Sequence, residues 1–156
     1  EGSFDLAFCL IDSFRHLTTE PAAERHLRAV ARALRPGAVY VVGLDVTGGM
    51  GPDTSREEWK MSRDGVRVHG VVGGLGDVDP ETRIETMRVR LDVRDHGRRR
   101  VIESFQPLRV WSPAELEALV GRSGFRIDAC FDRRYDLDAP LPLEAVDGSA
   151  VLVLGR

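Results

Sequence analysis

Two short segments, residues 4–11 (FDLAFCLI) and 38–44 (AVYVVGL), are apolar on both of their alternating faces. A strand carries that pattern when both faces are covered, so it belongs inside a parallel sheet layered with helices rather than at an edge. Between them, Ala23, Leu27, Val30, Ala31 and Leu34 form one apolar stripe at helical spacing, while Arg25, Arg28 and Arg32 take the other side. The spacing predicts a helix over residues 20–34, with Thr19 as N-cap, Pro21 in the first turn and Arg35-Pro36-Gly37 as the stop. Strand, helix, strand is a βαβ unit, which predicts parallel strands joined by a right-handed crossover. A first strand apolar on both faces needs a partner on each edge, so we expect one neighbour of residues 4–11 to lie outside this sequence.

The texture then changes. Residues 45–64 are rich in Gly, Pro and polar side chains and read as one long loop. Three strands are expected after it, at 66–72, 84–93 and 101–110. The middle one alternates cleanly, with Met87, Val89, Leu91 and Val93 on one face and Thr86, Arg88, Arg90 and Asp92 on the other. That pattern predicts an antiparallel sheet with one wet face, turned by Asp79-Pro80 and by Asp95-His96-Gly97. We read residues 65–110 as a β meander inserted in a single domain spanning 1–156. Ser112-Pro113-Ala114-Glu115 is a capping box with Pro at the first helical position, and Leu116, Leu119 and Val120 are the buried stripe of that helix. Gly124 stops it, and strands are expected at 125–131 and 150–154.

Charge and composition exclude several classes. A net charge of −3 gives no basic footprint for nucleic acid or an anionic membrane. The short run Arg98-Arg99-Arg100 is flanked by Asp92, Asp95 and Glu103 and reads as a solvated turn. No apolar run approaches the roughly 20 residues of a membrane span. Cys9 and Cys130 sit in apolar runs as small buried hydrophobes, not as a disulfide framework, which places the chain in a reducing cytoplasm. The four histidines have no metal-ligand spacing with one another or with the cysteines, so no metal is expected.

In combination, three stretches resemble class I S-adenosylmethionine-dependent methyltransferases. Residues 4–17, from Phe4-Asp5-Leu6 to Asp12-Ser13-Phe14-Arg15-His16-Leu17, are similar to that family's fourth-strand segment. Residues 27–44 (LRAVARALRPGAVYVVGL) are similar to its "LkPGG" stretch, with Ala38 in place of the second Gly. Residues 111–125, through Trp111-Ser112-Pro113-Ala114-Glu115-Leu116 and Ser123-Gly124-Phe125, are similar to its "sp.EL…GF" stretch. The resemblance implies an α/β fold: a partial Rossmann-like methyltransferase sheet of parallel strands, with an antiparallel terminal pair and the inserted β meander. It implies the carboxy-terminal half of the domain, and the meander is similar to that of small-molecule N-methyltransferases, including those that modify aminosugars. The antiparallel terminal pair separates it from a nicotinamide dehydrogenase.

The same resemblance implies S-adenosylmethionine as cofactor and methyl transfer to an amine or hydroxyl of a small molecule. Leu10, Ile11 and Asp12 would line the methionyl and sulfonium end of the cofactor, at the carboxyl ends of the strands where ligands bind in open α/β sheets. His16 and Asp45 follow the same rim and are the candidate catalytic groups. Trp59, Arg109 and Tyr135 are candidates to line the substrate mouth, but read more simply as packing or solvated residues. The family's Gly-rich cofactor turn is absent: neither Gly48-Gly49-Met50-Gly51 nor Gly73-Gly74-Leu75-Gly76 lies between a strand and a helix N-terminus, the context that presents N–H groups to such a ligand. We therefore expect this chain to be inactive by itself and to dimerise or to pair with a complementing amino-terminal segment. The alternative is a non-catalytic half-domain serving as a binding or scaffolding partner.

Overall fold

A computed structural model describes residues 2–47, 56–132 and 134–156 of the chain. It divides into two compact units, Glu1–Gly49 with Arg109–Arg156, and Met50–Leu108.

In the first unit the strands are β1 (Phe4–Cys9), β2 (Leu34–Val46), β7 (Arg126–Asp132) and β8 (Gly148–Gly155), in the order β1-β2-β8-β7. β1 and β2 are parallel, whereas β8 runs antiparallel to both of its neighbours, as expected of the terminal pair. Helix α1 (Glu20–Ala33) follows Thr19, whose backbone is extended but whose side chain makes no cap hydrogen bond. Helix α2 (Pro113–Arg122) starts on the expected box: Glu115 N–H donates to Ser112 Oγ at 3.3 Å, and Ser112 N–H donates to the Glu115 carboxylate at 2.9 Å.

Registers and strand alternation sort the side chains of this sheet into two faces. One carries Ala7, Cys9, Tyr40, Val42, Cys130, Leu152 and Leu154, and it packs with Ala23, Leu27 and Ala31 of α1 and Leu116, Leu119 and Val120 of α2 in the core. Within that core His26 Nε2 lies 2.8 Å from the Tyr40 hydroxyl. Burial lowers the His26 pKa, raises that of Tyr40 and pushes the Cys130 thiol up to about 11. The other face carries Leu6, Phe8, Val39, Val41, Val151 and Val153, and it is only partly buried.

Contrary to the expectation from its apolar pattern, the segment 4–11 does not lie deep inside the sheet of this chain. β1 is an edge strand, bonded to β2 alone among the described residues. Phe8 is 70% exposed and Leu6 54%. The pattern is apolar on two faces because each face needs a cover, and α1 and α2 cover only one. The stop at Arg35-Pro36-Gly37 is also displaced. The helix gives way to strand already at Leu34, and Arg35-Pro36-Gly37 form a bulge between the pairs Phe4↔Leu34 and Leu6↔Val39, with Gly37 at φ 79°.

The second unit is a four-stranded antiparallel sheet, β3 (Arg56–Arg63), β4 (Val66–Gly74), β5 (Ile84–Asp95) and β6 (Arg98–Arg109) in sequential order. A loop over 45–64 is therefore wrong at both ends: β2 continues to Val46, and β3 occupies 56–63. Part of that expected loop, including Gly48-Gly49-Met50-Gly51, falls outside the described residues. Asp64-Gly65 closes β3 onto β4 and His96-Gly97 closes β5 onto β6, each pair with two positive φ angles (49° and 80°, 44° and 86°) as a two-residue hairpin turn of matching twist requires. Gly73-Gly74 ends β4, and the next element is β5, so that glycine cluster leads to no helix.

Trp59 lies directly opposite Gly70, and a Cβ on Gly70 would come within 2.3 Å of the indole ring. Gly70→Ala should therefore push Trp59 off the sheet and cost about 1–3 kcal/mol, read by urea denaturation together with a change in native tryptophan emission. Unchanged stability and emission would show that the ring does not rest on the glycine.

Candidate functional site

Because β1 and β2 are parallel, their carboxyl ends share one rim, and the chain leaves β1 there through Leu10, Ile11 and Asp12. Ile11 and Asp12 both hold φ at 56°. That conformation is strained for a β-branched residue and persists only where the surroundings impose it. Three features impose it here. Asp12 N–H donates to the Gly43 carbonyl at 3.1 Å, Asp45 N–H donates to Asp12 Oδ1 at 2.6 Å, and a 3-10 turn over Ser13–His16 carries Arg15 back under the rim. Gly43 also lets the strands meet closely, since a Cβ there would touch Leu10 and the Ile11 nitrogen at 3.4 and 3.5 Å.

Arg15 is only 3% exposed. Its Nε donates to the Arg109 carbonyl at 3.0 Å, and its Nη1 lies 3.5 Å from Asp12 Oδ2 and 3.5 Å from Asp45 Oδ2. A guanidinium held this deep is tolerable because carboxylates and a carbonyl take its N–H groups. Ser149 on β8 completes the rim by donating from Oγ to Asp45 Oδ1 at 2.6 Å. Burial raises the pKa of Asp12, against the pull of the Arg15 charge, and the neighbouring Asp45 carboxylate adds to the rise. Beside this group Arg109 stacks over Trp111, 4.4 Å from the ring centroid, and pairs with Glu115 at 3.3 Å. Two carboxylates thus share one guanidinium, and the rim keeps a net negative charge that favours a cationic ligand.

The structure brings Asp12 and Asp45 together and sets Leu10 and Ile11 beside them. Ile11 is 92% exposed, and its carbonyl accepts no hydrogen bond among the described residues, whereas those of Leu10 and Asp12 accept from Ser13 and Arg15. His16 is exposed on the 3-10 turn and bonds to neither aspartate. Trp59 packs over Gly70, Arg109 is half-buried, and Tyr135 is exposed. Among the described residues no three His, Cys, Asp or Glu side chains converge as metal ligands, and no helix is long and apolar enough to cross a membrane. Sequence reasoning missed Arg15, whose one signal is its spacing of three from Asp12, and Ser149, whose place depends on the Asp45↔Ser149 pairing.

No protein-family model and no curated protein matches the chain. Solved structures do. An S-adenosylmethionine-dependent methyltransferase from Clostridium acetobutylicum matches 99% of the chain at a TM-score of 0.72 and 15% identity. A sugar N-methyltransferase from a Streptoalloteichus species matches 99% at 0.72 and 19%. An amino pentose methyltransferase from Micromonospora echinaspora, with S-adenosylmethionine bound, matches 97% at 0.70 and 19%. The chain spans 57–58% of the length of these three structures. Residues 1–156 therefore have the mixed α/β, Rossmann-like fold of the matched part of S-adenosylmethionine-dependent methyltransferases.

Proposed function

We propose that this chain is the carboxy-terminal half of an S-adenosylmethionine-dependent methyltransferase domain, with the meander inserted in it, acting on an amine or hydroxyl of a small molecule. The observation that carries the reading is the net-negative rim at the carboxyl ends of β1 and β2, in a sheet of this fold. The residues present fit the methionyl end of the cofactor: exposed Leu10 and Ile11 offer an apolar wall, the Ile11 carbonyl is an unused acceptor, and Asp12 adds charge opposite to an ammonium or sulfonium. When bound, the cofactor supplies an already activated methyl group, so the protein's contribution is placement and exclusion of water. Asp45, fixed by Arg15 and Ser149, draws a cationic or hydroxylic acceptor to the rim. His16, exposed on the adjoining turn, takes the acceptor's proton on an imidazole nitrogen.

The remainder of the cofactor site belongs to an amino-terminal segment that adds to the open edge of β1 and covers Leu6 and Phe8. This reading rests on those exposed side chains and on the share of its structural neighbours that the chain spans. Its setting is the cytoplasm, in keeping with two free thiols.

Calorimetry with S-adenosylhomocysteine tests the proposal. The complete protein should bind it and residues 1–156 alone should not, while a complete protein that gives no heat would leave the non-catalytic partner as the surviving reading. Once a screen of amine and hydroxyl metabolites has found the acceptor, Asp45→Asn should lower kcat/KM by about 10–100-fold, with affinity for S-adenosylhomocysteine held within about twofold. Full activity in that variant would remove Asp45 from the site. Arg15→Met leaves two carboxylates facing each other without their cation and should cost about 2–3 kcal/mol in urea unfolding. An unchanged midpoint would show that the rim does not depend on it.

A further inference from the structure

The sheet β3–β6 carries a second cluster of charge that shares no residue with the rim. Its cross-strand registers place Ser62, Arg67 and Arg94 in one row and Lys60, His69 and Asp92 in the next. Strand alternation puts all six on the same face. Together with Met61 and Val68 they line a concavity of about 360 Å³.

The charges in this concavity do not balance. The Asp92 carboxylate is committed to Arg99, whose Nε lies 3.0 Å from both of its oxygens. Glu58 is shared among three neighbours, the His69 ring at 2.7 Å, Arg56 at 3.4 Å and Lys60 at 3.8 Å. Arg67 and Arg94 stand directly opposite each other on β4 and β5. Neither donates a side-chain hydrogen bond or forms an ion pair among the described residues; Arg94 acts on Asp92 only through its charge. Like charges directly opposed across a ladder destabilise it, so this pair carries a standing repulsion that an anion between the two guanidiniums would relieve.

The geometry points to a phosphoryl-binding site on this face, one that takes a small phosphomonoester between Arg67 and Arg94. Two planar guanidiniums match the oxygens of a phosphate in bidentate fashion, and because neither is hydrogen-bonded or ion-paired among the described residues, both remain available to a dianion. Lys60 and the Ser62 hydroxyl supply further donors from the neighbouring strand. The volume is that of a small-molecule site and leaves room for a modest organic group beyond the phosphate.

Calorimetric titration of the full chain with phenyl phosphate and with inorganic phosphate, at constant ionic strength in chloride, tests this. Saturable binding of phenyl phosphate at one per chain is expected. Arg67→Gln combined with Arg94→Gln should weaken it by about tenfold or more. Arg35→Gln combined with Arg134→Gln, which removes the same charge from elsewhere, should leave it unchanged. Without any phosphate, the Arg67/Arg94 variant should melt no lower than the parent, because the repulsion is gone; that measurement also shows that the variant folds. Lys60→Gln gives a milder second variant, with binding weakened a fewfold. The proposal is overturned if the two double variants weaken binding equally, if chloride competes as well as phosphate does, or if inorganic phosphate binds while phenyl phosphate does not.

Discussion

Everything in the first unit is registered on β2. It pairs in parallel with β1 along one edge and antiparallel with β8 along the other, so its backbone groups are satisfied on both sides. Its alternate residues Tyr40, Val42, Leu44 and Val46 are all buried and anchor the core shared by α1 and α2. The same strand then delivers Asp45 to the rim, paired with Ser149 of β8 on one side and donating its N–H to Asp12 on the other. Moving Asp45 would mean slipping that register, which would turn every one of those core side chains to the wrong face. The site is therefore as rigid as the sheet.

Arg15 converts that rigidity into electrostatics. It reaches Asp12, Asp45 and the Arg109 carbonyl, and so it ties together the end of β1, the end of β2 and the segment entering α2. Burying a guanidinium is costly by itself, and here the two carboxylates and the Arg109 carbonyl offset that cost, so the contacts that fix the geometry are the same ones lost when Arg15 is removed. It allows two carboxylates to stand on one rim without repelling each other apart, and it still leaves one negative charge over. The positive φ angles of Ile11 and Asp12 belong to the same arrangement, in which Asp12 N–H donates to the Gly43 carbonyl and Asp45 N–H donates to Asp12 Oδ1.

Local chemistry was legible in the sequence wherever it was sufficient. The capping box at Ser112 and Glu115, the α1 stripe and the strand over β5 each depend on neighbours a few residues away, and each appears in the structure, as does the antiparallel terminal pair that the family resemblance implied. β3 was missed because every one of its residues is exposed and Trp59 and Met61 are its only large apolar side chains. Its one clear mark, the Asp64-Gly65 hairpin turn, lay at the end of a stretch dominated by Gly and Pro. The edge position of β1 was misread for a different reason: apolarity on two faces records what a strand needs, not what the residues in hand supply. Within the rim, Asp12 was recognisable from its place after a strand, and Asp45 from its place near the end of one, although β2 runs on to Val46. Arg15 was not, because nothing in a sequence distinguishes a buried arginine from the many solvated ones around it.

A net charge of −3 over the whole chain conceals two local imbalances of opposite sign. At the rim two carboxylates share one guanidinium; on the β3–β6 sheet two guanidiniums oppose each other without a carboxylate between them. Elsewhere on that sheet Arg88 and Arg90 pair with Glu103, and Arg99 pairs with Asp92. Both imbalances involve backbone positions that strand register fixes, Asp45 opposite Ser149 and Arg67 opposite Arg94. On the readings proposed above, the excess negative charge at the rim favours a cation and the two facing guanidiniums of the sheet favour an anion, so one chain offers ligands of either sign a place set by strand register.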